Sequence, residues 1–188
     1  MMNSKPIVLA SASPRRVQLL AQLGITPSAI VPANIDENPR AKETPLAYVK
    51  RIAEGKARTV TALHPSERIL AADTVVALGR RILPKAEDEA TARHCLTLLS
   101  GRRHRVMTCV CVIDEAGKLH SKTATSIVKF NQLTPALLDA YIASDEWRGK
   151  AGGYAIQGHA AAFIPFISGS YSNVVGLPLF ETAALLGK

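Results

Sequence analysis

The chain opens on a short apolar run, Pro6-Ile-Val-Leu-Ala10, which gives way to Ser11-Ala-Ser-Pro-Arg-Arg16 and then to apolar residues at helical spacing, Val17, Leu20 and Ala21. This predicts a buried strand, a tight turn and a helix from Pro14 to about Leu23, with Ser13 as N-cap and Gly24 in a left-handed closing position. Residues 25–44 are broken by Pro27, Pro32 and Pro39 and read as an extended segment and a loop. A second helix runs from Pro45 to Leu63, with Leu46, Val49, Ile52, Ala53, Ala57, Val60 and Leu63 on one face. Arg68–Leu78 is a near-continuous apolar strand, followed by a turn at Gly79-Arg80-Arg81 and a short extended stretch, Ile82-Leu83.

A third helix spans Asp88 to Leu99, with Ala92, Cys95, Leu96 and Leu99 inward. His104–Ile113 and Leu119–Phe130, joined by Glu115-Ala-Gly-Lys118, form an antiparallel hairpin. Thr134-Pro135 caps a fourth helix carrying Leu137, Leu138, Tyr141 and Ile142. A glycine-rich loop, Gly149 to Gly158, leads into a strand over Ala160–Ile167, and a last short helix begins near Pro178. Strand-to-helix units mixed with a long hairpin predict an α/β fold with a mixed β-sheet flanked by helices. A two-lobed form with a central cleft suits this order, the hairpin half making the second lobe.

Composition narrows the class. The 188 residues fit one domain, 1–188, and the 47% apolar and 20% charged content describes a folded globular chain. No apolar run reaches the roughly 20 residues that cross a bilayer, and Met1 to Ala10 lacks the longer apolar segment of a secretory signal, so a cytoplasmic location without membrane attachment is expected. Cys95, Cys109 and Cys111 have no metal-site spacing and are expected as small core residues; the five histidines show no paired spacing either. Carboxylates are then the remaining metal ligands, and the metal a hard one such as Mg²⁺. The net charge of +8 favours anionic partners, nucleotide or nucleic acid.

Charges that break the apolar pattern are the candidates for chemistry. Ser11, Ser13, Arg15 and Arg16 gather at the start of a helix, where the dipole, free N–H groups and guanidinium forks suit phosphate; a capped helix with two solvated arginines is the alternative. Asp73 lies in Ile69-Leu-Ala-Ala-Asp-Thr-Val-Val-Ala-Leu78 and needs a cation, a metal or an opening to a cleft. Lys56 sits mid-stripe between Ile52 and Val60, either snorkelling to water or aimed at carboxylates or phosphates. Asp36, Glu37 and Lys85, ordinary surface charges singly, would complete a site suited to Mg²⁺-assisted attack on a polyphosphate. The segment Gly149–Gly158 matches neither GxGxxG nor a Walker motif, yet Gln157 in it has the donors and acceptor to meet a base edge. Arg102, Arg103, His104 and Arg105 form a basic cluster, but aromatics are only 5% and no nucleic-acid module is present, so a solvated cluster or cleft rim is the better reading.

These residues resemble the Maf family, also called septum-formation or Maf-like proteins, over essentially the whole chain. The ordered matches are Ser11-Ala-Ser-Pro-Arg-Arg16, Asp36-Glu37, Lys56-Ala57, Ala72-Asp-Thr-Val75, Ser100-Gly-Arg-Arg-His104 with Thr108, Lys150-Ala-Gly-Gly-Tyr-Ala-Ile-Gln-Gly158 and Val175-Gly-Leu-Pro178. The resemblance implies an inosine-triphosphatase-like (Maf/Ham1) fold and a house-cleaning hydrolase that cuts nucleoside triphosphates between the α and β phosphates. It implies Asp73 as catalytic base, Glu37 as the second acidic residue, Mg²⁺ or Mn²⁺ on Glu37 and Asp73, and Arg16, Lys56 and Lys85 around the triphosphate. Ser13, Arg15 and Arg16 would hold phosphate. Arg15, Thr74 and Gln157 match the branch acting on dTTP and UTP, where the 7-methyl-GTP branch has Trp, Gln and Glu. Pro84-Lys85-Ala86 departs from the usual Gly or Glu before, and Pro after, that lysine. A homodimer is also implied. The alternatives are a non-catalytic nucleic-acid-binding or cell-division regulatory protein, and a triphosphatase attacking the γ phosphate.

Overall fold

In a computed structural model the chain is described over residues 6–187. The reading of the first ten residues as leaderless lies in part outside that range. β1 (Ile7–Leu9) turns into α1 (Pro14–Gln22), β2 (Ala29–Ile30) returns beside β1, and α2 (Pro45–Thr61) precedes β3 (Arg68–Leu78). Then come β4 (Arg81–Leu83), β5 (Lys85–Ala86), α3 (Glu89–Leu99), and the hairpin β6 (Arg103–Ile113) and β7 (Leu119–Lys129). The chain finishes with α4 (Pro135–Ala143), β8 (Lys150–Ala151), a 3₁₀ segment (His159–Phe163), β9 (Phe166–Ser168), α5 (Tyr171–Val175) and α6 (Leu179–Leu186).

The sheet order is β2-β1-β3-β6-β7-β9, with β4 on β3. β1 pairs in parallel with β2 and β3, and the remaining ladders of this sheet are antiparallel, so the expected mixed sheet is present. β3 is apolar but for Arg68, Asp73 and Thr74 because helices cover both faces. Ile69 and Ala71 pack with Val49, Ile52 and Val60 of α2, while Leu70 and Ala72 pack with Leu19 and Leu20 of α1 and with Leu177. A further core gathers Leu83, Ala92, Leu96, Phe130, Tyr141, Trp147 and Phe163 around α3 and α4. That is the second lobe. The hairpin does not form it alone: β6 gives Val106 to this core and Cys109 and Cys111 to the core under α2, because its strands run the length of the sheet.

Other departures have local causes. Ala160–Ile167 is a 3₁₀ turn followed by the short β9, since Ala160-Ala-Ala162 is small enough to coil as readily as extend and only Ala160 and Phe163 of the segment are buried. Ala21 is exposed and Leu19 takes its place against the sheet; Leu46 and Leu63, at the ends of the α2 stripe, are also exposed. Ser13 occupies the N-cap position without making a side-chain cap bond. The four inward residues of α3 and the three cysteines are buried as expected.

One gap in the sheet makes the site. On the edge of β3 away from β6, β1 pairs with Arg68–Leu70 and β4 with Val76–Leu78. Among the described residues no strand covers 71–75 on that edge, and the gap opens into the cleft between the two lobes.

Candidate active site

The cleft holds about 420 Å³ and is lined by Ser13, Arg15, Arg16, Glu37, Lys56, Asp73, Thr74, Lys85 and Gln157. These nine positions expected from the sequence are therefore brought to one place. Asp36 is not; it lies outside on an exposed turn, accepting from the backbone and side-chain amides of Asn38.

At the floor, Asp73 projects from the uncovered stretch of β3 toward α2 and is 3% exposed. Lys56 meets it, Nζ to Oδ1 at 2.7 Å, and the same ammonium meets Glu37 Oε1 at 2.7 Å. Lys56 is thus aimed at carboxylates and does not snorkel. Lys85 completes the chain of charges on Glu37 Oε2 from the opposite lobe. Glu37 is set by its loop: the Tyr48 hydroxyl donates to Glu37 O at 3.0 Å, and Arg51 grips Glu43 through two bonds of 2.7 and 2.8 Å and donates to Asn38 O at 3.0 Å. Burial alone would raise the Glu37 carboxyl, but the hydrogen bonds and charges of Lys56 and Lys85 outweigh it and hold its pKa at about 2.

The first turn of α1 faces the cleft without a side-chain cap. Arg16 is buried, its Nε donating to Gly176 O at 2.8 Å, Nη1 to Ser11 Oγ at 3.0 Å and Nη2 to Thr74 Oγ1 at 3.4 Å. Burial draws its pKa down, Asp73 opposes, Arg15 adds to the lowering and Glu37 opposes. Gly176 has φ +130, a backbone conformation that suits glycine; there is room for a Cβ, which would stand in ordinary contact 3.6 Å from Thr74 Oγ1. The Arg15 side chain makes no hydrogen bond or ion pair among the described residues, and burial lowers its pKa. A polyanion would satisfy it.

On the other lobe β5 pairs with β8, Lys85 opposite Ala151 and Ala86 opposite Lys150, which places Lys85 at the cleft despite its departure from the family pattern. Gly152 follows with φ +68 and no room for a Cβ, which would meet Val76 at 2.8 Å. Tyr154 then anchors the loop by its hydroxyl, 2.8 Å from His104 Nε2, while Ala155 N–H donates to the Tyr141 hydroxyl at 3.1 Å. Gln157 stands exposed beyond these anchors.

Lys150 and Arg148, not among the site residues expected from the sequence, also line the cleft. Burial lowers the Lys150 pKa and Arg15 lowers it further, with Glu146 opposing. A lysine in the same glycine-rich segment as Gln157 was the available signal. Six cationic side chains thus face two carboxylates, an arrangement that attracts a polyphosphate. Arg102, Arg103 and Arg105 lie outside the cleft; Arg103 stacks over Phe166 at 5.3 Å and Arg105 donates to Gly79 O at 2.6 Å. Among the described residues no three His, Cys, Asp or Glu side chains gather as metal ligands. Glu37 and Asp73 offer oxygen donors only, which fits a hard divalent cation that takes its remaining ligands from water and phosphate.

The family model described as Maf-like protein matches residues 6–188. A dTTP/UTP pyrophosphatase of Rhodospirillum rubrum is 58% identical over 184 residues, spanning 98% of this chain and 88% of its own. One of Paramagnetospirillum magneticum is 59% identical over 180 residues, spanning 96% of this chain and 95% of its own. Among solved structures, the Staphylococcus aureus Ham1 protein is similar over 67% of this chain and 72% of its own, at a TM-score of 0.48 and 16% identity.

Proposed function

This chain belongs to the Maf-like protein family, and on that premise we propose that it hydrolyses dTTP and UTP at the α–β anhydride, giving the nucleoside monophosphate and pyrophosphate. The carrying observation is the Asp73–Lys56–Glu37–Lys85 chain of charges on the floor of a cation-lined cleft.

The roles follow from position. Arg15, Arg16 and Ser13 at the start of α1, with Lys150 facing them, hold the phosphates. Lys56 engages Oδ1 of Asp73 and fixes the carboxylate. Asp73 then takes the proton of the attacking water as the anhydride bond breaks and pyrophosphate leaves. Lys56 and Lys85 offset the charge that develops on the phosphates. Glu37 and Asp73 would hold Mg²⁺ or Mn²⁺, which when bound supplies further neutralisation of the polyphosphate. Thr74 and Gln157 read the base. A homodimer, implied by the family resemblance, and a cytoplasmic location, expected from the sequence pattern, complete the proposal.

The test is a nucleotide panel with Mg²⁺ and product analysis. Pyrophosphate is the expected product from dTTP and UTP, and Asp73→Asn should lower the rate by about 10²–10⁴-fold. Orthophosphate as sole product, or an Asp73→Asn enzyme of near wild-type rate, refutes the proposal.

A further inference from the structure

We propose that Thr108, a buried residue outside the cleft lining, is a positioning residue that fixes the direction of the Thr74 hydroxyl and so makes the site select bases bearing an N3–H, uracil and thymine, over cytosine. This rests on the reading above in which Thr74 and Gln157 face the base.

The β3–β6 register sets Thr74 opposite Thr108, and their hydroxyl oxygens lie 2.9 Å apart. Either could donate to the other, but Thr108 Oγ1 also lies 3.1 Å from Asn173 O, and a carbonyl only accepts. That carbonyl is in need of a donor. Leu177 N–H, four residues on, donates to Ser172 O instead, and Asn173 is wholly buried, where an unpaired carbonyl is costly. Asn173 is itself held in place, its Nδ2 donating to Val106 O at 3.0 Å and to Ser126 Oγ at 2.9 Å. The single Thr108 proton therefore goes to Asn173 O.

Thr74 must then spend its own proton on Thr108. Its other choice, Gly176 O, is farther at 3.4 Å and already accepts from Arg16 Nε at 2.8 Å. What remains on Thr74 Oγ1 is acceptor capacity, turned toward Arg16 and the cleft. Gln157 does not supply this selection by itself, because an amide can turn over to offer either a donor or an acceptor. An oxygen of fixed polarity can. It accepts from the N3–H of uracil or thymine and meets the N3 lone pair of cytosine with a lone pair of its own.

The experiment is kcat/KM for UTP and CTP with Mg²⁺ in the wild type, Thr108→Ser, Thr108→Val and Thr74→Val. The wild type should favour UTP, and Thr108→Ser, which keeps the hydroxyl, should hold the UTP/CTP ratio within about twofold. Thr108→Val should lower the ratio by about tenfold or more, with CTP turnover rising, because the released Thr74 hydroxyl can donate to cytosine N3. A purely structural role lowers both nucleotides together and leaves the ratio unchanged; that result, or a wild type indifferent to the two nucleotides, overturns the proposal. Should Thr108→Val not fold, Thr108→Cys keeps the volume with a weak donor and is judged by the same ratio. An unchanged ratio in Thr74→Val overturns the base-reading role of Thr74 itself, whereas a changed ratio there with an unchanged one in Thr108→Val overturns only the relay.

Discussion

Lys56 carries an ammonium into the stripe by which α2 packs Ile52 and Val60 against the sheet, and two carboxylates at 2.7 Å compensate its burial. Such a pair contributes little net stability, since desolvation offsets most of the attraction, but breaking it leaves a buried charge alone. Lys56→Met is therefore expected to lose activity and about 3–5 kcal/mol of unfolding free energy in a denaturant titration. Lys56→Met with Asp73→Leu should regain much of that stability while remaining inactive. A double variant no more stable than the single would mean that Lys56 acts through packing. The residue's position in the helix was legible from spacing alone. Its two partners, 19 and 17 positions away in sequence, were not separable from a path to solvent until the fold placed them.

At the scale of elements, the loop carrying Gln157 is fastened through Tyr154 to His104, in a cluster where Phe130 stands edge-on to both rings. Burial lowers the His104 pKa from 6.5 to about 4. As pH falls below 6.5 the unfolded chain takes up this proton and the folded chain does not, so the contribution is complete above that value and is lost as pH falls toward 4. By pH 5 the loss is about 2 kcal/mol. His104→Gln, which can still accept from Tyr154, should show a smaller fall in melting temperature between pH 7 and pH 5 than the wild type, by about 4–8 °C. Equal falls would show that other groups set the acid sensitivity. The α3 inward face could be read from periodicity because one helix packs one stripe on one core. α5, five residues long, presents too little period to be read, although Ser170 caps it by accepting from Asn173 N–H.

The whole molecule places cations from two lobes around one opening, Arg15 and Arg16 on one side, Lys85 and Lys150 on the other. A bound polyphosphate should therefore tie the lobes together and stabilise the fold by mass action. With Asp73→Asn, which would not consume it, Mg²⁺–UTP at about 100 times its Kd should add about 2.7 kcal/mol, a rise of about 5–10 °C in melting temperature for a chain of this size. A purine triphosphate at equal concentration should raise it less. Equal shifts for both would show that the cleft holds phosphate without reading the base.

Periodicity, caps and turn residues determined by themselves the mixed α/β character, five of the six α-helices and the identity of the charges that interrupt apolar runs, because each depends on neighbours within a turn or a strand. The same charges marked the chemistry: a carboxylate in a strand buried on both faces has few stable settings. Tertiary structure alone decided which partner each charge meets. The uncovered edge of β3 between β1 and β4, the Glu37–Lys85 bridge spanning 48 positions and the Thr74–Thr108–Asn173 chain all arise from strand register and lobe packing. Those are long-range choices, made by burial over the entire chain, and no local pattern encodes them.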